Sequence, residues 1–157
     1  MAYNNKDAGI EYRNMRQIKA ILGNQFIVKD IEMDLKEATD FTLLKFNPFT
    51  VGVRLRRYEY LKYSAQFTIR WSRPSGVATE FQKIMQELVD YILYGFVDRE
   101  ETKIIKYFIG DLEVFRQAAV DPVEIKPNNP PDSELAVYNK AQFPPTFILK
   151  EYPSEMV

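Results

Sequence analysis

The stretch ATDFTLLKFNPFTVGVRLRRYEYLKYSAQFTIRWSR, residues 38–73, decides the fold. It contains three short runs in which polar and apolar side chains alternate with a period of two, the mark of a half-buried strand. In the first run Phe41 and Leu43 oppose Asp40 and Thr42. In the second, Val51, Val53 and Leu55 oppose Gly52, Arg54 and Arg56. In the third, Phe67, Ile69 and Trp71 oppose Gln66, Thr68 and Arg70. If the three runs pair as neighbours, one face is a wall of core and the other gathers Asp40, Arg54, Arg56, Gln66 and Arg70.

The charge around this stretch is uneven. From Asp30 to Asp40 there are five acids and one Lys, whereas from Thr50 to Arg73 there are six Lys or Arg and only Glu59. Two readings follow. The two segments neutralise each other by surface ion pairing, which gains little, or a basic face for phosphates lies beside a carboxylate. Bulk charge does not choose between them, since the net charge of the 157-residue chain is −1. At 46% apolar and 14% aromatic residues, the chain is that of a folded protein with a sizeable core.

Absences narrow the chemistry. Without Cys there is no disulfide, thiolate nucleophile or Cys-based zinc site, and without His the commonest general base and transition-metal ligand is missing. A metal would be held by carboxylates and carbonyls, which suits magnesium, calcium or manganese. No apolar run reaches the roughly 18 residues that span a bilayer. An intracellular, cytoplasmic protein without a membrane partner is expected.

Either side of the central stretch, the pattern alternates between helix and strand. Asp7 caps a helix to about Leu22 that ends at Gly23-Asn24, with Met15, Ile18 and Leu22 inward. Glu11 falls on the same stripe, either at its wet end or paired with an Arg. Gln25 to Ile31 reads as a strand and Asn47-Pro48-Phe49 as a turn. Val77, Phe81, Ile84, Met85, Leu88 and Ile92 recur at helical spacing and predict a helix closing at Gly95, packed by Phe81, Met85 and Leu88 on Val53, Phe67 and Ile69. Lys103 to Ile109 reads as a buried strand, and Asp111 caps a short helix on Leu112, Phe115 and Ala119. Seven of the nine prolines lie beyond Asp121. This predicts a single α/β domain over 1–120 and an extended Pro-rich arm over 121–157, anchored by Phe143, Phe147, Ile148 and Leu149.

The order helix, three strands, helix, strand gives an α/β fold with a mixed sheet and flanking helices. From about Ile10 to Ile109 the chain resembles the PD-(D/E)XK nuclease-like superfamily, in particular its small phage-encoded and resolvase-like members. ATDFTLL supplies that family's Asp as Asp40. The next strand reads VGVRLRR, so Arg54 and Arg56 stand where the family carries Glu and Lys. The resemblance implies the restriction-endonuclease-like α-β-β-β-α-β core. It further implies Asp40 and Glu11 as catalytic and metal-ligating carboxylates, with Mg2+ or Mn2+ as cofactor if the protein cuts.

Hydrolysis by that route needs carboxylates for the metal and a Lys to steer water. Two Arg side chains oppose cation binding but clamp phosphate well. Binding of DNA or RNA through Arg54, Arg56, Gln66 and Arg70 is therefore expected more than cutting. Tyr58, Tyr60, Tyr63 and Trp71 either stack on bases or are ordinary core and rim residues. The alternative is a non-catalytic phage-type accessory protein that engages a protein partner through the arm. A third reading makes the polar face the solvated side of an antiparallel sheet.

Overall fold

The computed structural model describes residues 5–27, 49–128 and 132–154. Asp40, its strand, the acidic stretch Glu32 to Glu37 and the Asn47-Pro48 turn lie outside the described residues.

Two sheets carry the fold. In the first, β1 (Val51–Arg56) runs parallel to β3 (Tyr91–Val97). Antiparallel β4 (Ile104–Asp111) and then antiparallel β7 (Ile148–Tyr152) follow, giving the order β1-β3-β4-β7. The second is antiparallel, with β2 (Gln66–Ser72), β6 (Glu134–Asn139) and β5 (Glu124–Pro127) in the order β2-β6-β5. The architecture is thus α/β with a mixed sheet, as expected, but β1 and β2 are not neighbours. The 3₁₀ turn Tyr58–Tyr63 carries the chain away from β1 before β2 begins, and β2 joins the other sheet.

The mixed sheet is covered on both faces. On one, Leu55, Leu93, Val97, Tyr107 and Ile109 pack with Ile10 of α1 (Asn5–Arg13) and Ile18 of α2 (Met15–Leu22). The single helix expected to Leu22 is broken at buried Asn14. There Nδ2 donates to the carbonyls of Ile10 at 2.9 Å and Glu101 at 3.2 Å, while Oδ1 accepts from Gln17 Nε2 at 3.1 Å. After α2 the chain continues in a π-turn over Gly23–Ile27, where a strand is expected from Gln25.

On the other face, Ile92, Tyr94, Phe96 and Phe108 meet Phe67, Ile69, Ala136 and Tyr138 of the second sheet. Leu112 and Phe115 of α4 (Leu112–Ala118) close that core. Asp111 caps α4 as expected, its Oδ1 accepting from Glu113 N at 3.0 Å and Val114 N at 3.5 Å.

Two further expectations are corrected. The predicted helix from Val77 to Gly95 is a short helix, α3 (Glu80–Met85), followed by a strand, β3. Every residue from Ile92 to Val97 is buried, because β3 has core on both sides and so loses the alternation that marks a strand. Met85 and Leu88 are 46% and 57% exposed rather than packed on the sheet. Nor is the Pro-rich stretch an extended arm. It supplies β5, β6 and β7, and its Phe143 and Phe147 are buried in the inter-sheet core. Pro127 closes β5, the end strand of its sheet among the described residues, where a missing N–H is tolerated, and Pro145 opens a 3₁₀ turn that seats Phe147. Among the described residues no helix is long and apolar enough to cross a membrane.

Candidate nucleic-acid interface

The parallel register places Arg54 beside Tyr94 and Arg56 beside Phe96, so both side chains rise from the β1 face that looks toward the second sheet. Arg54 is mostly covered, its side chain 16% exposed, with Nη1 3.9 Å from Glu80 Oε2. Glu80 is held there by local chemistry. Thr79 and Gln82 form a reciprocal cap: Gln82 N donates to Thr79 Oγ1 at 3.3 Å and Thr79 N to Gln82 Oε1 at 2.9 Å. The Thr79 hydroxyl also donates to the Trp71 carbonyl at 3.2 Å, tying the start of α3 to the end of β2. The Trp71 ring packs 4.4 Å from Phe81, so Trp71 serves as a packing residue.

This brings Arg70 of β2 into the same cluster. Burial and then the charges of Arg73 and Arg54 hold the Arg70 guanidinium below the ordinary arginine value, with Asp132 and Glu80 acting in the opposite sense. Among the described residues, Arg70 Nε and Glu80 Oε1 are buried without a hydrogen-bond partner. A buried charged donor in that state costs more than the ~1–3 kcal/mol of a neutral one. Arg54 and Arg73 add positive charge around Arg70, Glu80 and Asp132 offset part of it, and the excess is positive.

The other residues of the anticipated polar face are elsewhere. The Arg56 guanidinium lies 4.2 Å over the Tyr60 ring. Gln66 is at the opposite end of β2, level with Asn139, whereas Arg70 is level with Leu135. Between them Thr68 is tied to the Tyr94 hydroxyl, with its N–H at 3.3 Å and its Oγ1 at 3.2 Å. The strand's polar positions therefore do not form one open surface. Glu11 lies beside β1, the end strand of the mixed sheet among the described residues, and its Oε1 accepts the Leu55 N–H at 3.2 Å. Asp40 lies outside the described residues. Among those described, no three Asp or Glu side chains group to hold a metal ion.

Glu80, Arg73 and Asp132 belong to the cluster although the central alternating runs do not point to them. The Thr79-x-x-Gln82 spacing is a capping-box signal that would have started α3 at Glu80. Asp132 reaches the site only because β6 pairs with β2.

Comparison with protein-family models, with curated proteins and with solved structures finds no match for this chain.

Proposed function

We propose that this protein binds the sugar-phosphate backbone of nucleic acid through Arg54, Arg70 and Arg73, on a restriction-endonuclease-like fold whose cleavage centre is altered. The parallel β1–β3 pair, joined across a connection that contains α3, is compatible with that fold. The placement of β2 in a second sheet departs from it. One observation carries the binding reading: Arg70 is partly buried beside Arg54 and Arg73, and the positive charge of the three exceeds that of Glu80 and Asp132 nearby. A phosphate answers that excess charge.

A divalent cation, magnesium or manganese, enters this reading only if Asp40 joins Glu11. Arg54 and Arg56 on β1 work against it. The protein is therefore expected to bind more than to cut.

The test is fluorescence anisotropy with labelled DNA and RNA at low salt. Arg70→Ala weakens binding, Arg70→Lys restores part of it, and Asp40→Asn leaves it intact. If a chelator-sensitive nuclease activity accompanies binding, Asp40→Asn abolishes the cleavage alone. Wild-type protein that ignores nucleic acid overturns the reading. It moves the phage-type accessory protein to the front, a reading that the exposed apolar Val77, Met85 and Leu88 around α3 favour.

A further inference from the structure

The turn between β1 and β2 has an arrangement that a generic surface does not need. Its three tyrosines each lie under a cation: Arg99 is 4.6 Å over Tyr58, Arg56 is 4.2 Å over Tyr60, and Lys62 is 5.2 Å over Tyr63. All three contacts fall on the six-residue turn Tyr58–Tyr63. The turn is rigidly built. Tyr60 N donates to the Arg57 carbonyl at 3.0 Å and Ser64 N to the Leu61 carbonyl at 3.1 Å. Lys106 Nζ reaches Ser64 Oγ at 3.0 Å from β4. Tyr60 and Leu61 pack inward against the inter-sheet core. Tyr58 and Tyr63 are left outward, 37% and 52% exposed.

The turn also connects to the arginine cluster. Arg54 and Arg56 are two residues apart on one face of β1, about 6.6 Å by strand geometry. One belongs to the cluster and the other covers Tyr60. Through Arg54 and Arg56, β1 thus joins the cluster around Arg70 to the turn that carries the exposed Tyr58 and Tyr63. Acids beside this run include Glu80 on Arg54, Asp132 near Arg70, Glu59 in the turn itself, and Glu101, which is shared by Arg57 at 3.3 Å and Arg13 at 2.5 Å.

From this we infer that the ligand is a single-stranded nucleic acid, with its phosphates on the arginines and its unpaired bases stacked on Tyr58 and Tyr63. The inference rests on the backbone-binding reading and goes beyond it. An aromatic ring offers nothing to bases paired inside a duplex, whereas every unpaired base has a face to stack. A cation over one ring contributes its charge to the neighbouring phosphate.

The experiment compares a labelled 20-nucleotide oligothymidylate with a duplex of the same length. Wild-type protein binds the single strand at least tenfold more tightly. Tyr58→Ala plus Tyr63→Ala lowers that affinity roughly tenfold or more and leaves the salt slope unchanged. Tyr58→Phe plus Tyr63→Phe restores the affinity, because stacking needs the ring and not the hydroxyl. Thermal melting that is unchanged in these exposed-site variants confirms that the readout is binding. Equal affinity for duplex and single strand, or single-strand binding indifferent to the alanine pair, overturns this inference and leaves the backbone reading standing. Binding to neither overturns both.

Discussion

Phe147→Ala should destabilise the protein by about 3–5 kcal/mol, the range for deleting a large buried aromatic side chain. The upper half of that range applies because the site cannot collapse easily. Phe147 is 0% exposed. Its ring centroid is 4.6 Å from Phe143, 5.6 Å from Phe67, 6.0 Å from Phe108 and 6.5 Å from Phe115. On its remaining side the ring rests on Gly110, where an added Cβ would lie 2.9 Å from Phe147 Cζ and 3.0 Å from Ile92 Cγ2. Gly110→Ala alone therefore overpacks the core and costs about 1–3 kcal/mol. In the Phe147→Ala background the new methyl enters the vacated space, so the double variant is more stable than the sum of the two single losses by at least ~1 kcal/mol. Urea denaturation followed by tyrosine and tryptophan fluorescence measures all three. For a chain of this size Phe147→Ala lowers Tm by about 8–20 °C. A loss below ~1 kcal/mol, or strict additivity with Gly110→Ala, would refute the placement of the C-terminal segment in the core.

Three other outcomes follow from the same packing. Truncation after Val120 removes β5, β6, β7, Phe143 and Phe147, and is expected to give molten or insoluble protein; a cooperative unfolding transition in the truncated chain would contradict this. Leu88→Ala changes stability by less than ~0.5 kcal/mol because Leu88 is 57% exposed, and a loss of 2 kcal/mol or more by urea denaturation would show that it is packed. Burial, with the nearby Asp121 charge, pushes the Tyr138 phenol up to about 12, above its ordinary value of about 10. Between those values the folded protein keeps a proton that the unfolded chain has lost. Tyr138 therefore contributes stability in full below about pH 10 and loses it as pH rises toward about 12. Tyr138→Phe should flatten the alkaline fall in Tm, and an unchanged fall would show that Tyr138 is not its source.

Much of the fold is legible where one physical signal acts alone. The period of two in Val51 to Arg56 and in Gln66 to Ser72 matches two observed strands, and Asp111 marks a helix start. The alternation of β1 carries through to its packing, with Leu55 toward the helices and Arg54 toward the second sheet. Legibility fails where two signals overlap. Tyr91 to Val97 is apolar on both faces, so its residues extend the apparent helical stripe of Val77 to Leu88 until strand and helix merge. The prolines after Asp121 read as helix breakers, yet Pro127 closes the end strand of the second sheet as described and Pro145 opens a turn, so a stretch rich in breakers still completes two sheets.

The candidate site is legible in the same partial way. Arg54 and Arg70 come from alternating positions. Their convergence depends on how the turn Tyr58–Tyr63 divides β1 and β2 between two sheets, and local periodicity does not encode that. Glu11 is legible as a carboxylate on an inward helix stripe. That it serves the Leu55 N–H follows only from the packing of α1 beside β1.

The salt dependence of binding to single-stranded nucleic acid tests the central claim most directly. The slope of log K against log salt counts the phosphates a protein neutralises, at about 0.7 per phosphate for single strands. If Arg54 and Arg70 each hold a phosphate, Arg54→Ala plus Arg70→Ala weakens binding and lowers the slope by about 1.4 relative to wild type. A double variant that keeps the wild-type slope, or wild-type protein that does not bind at about 50 mM salt, would contradict it.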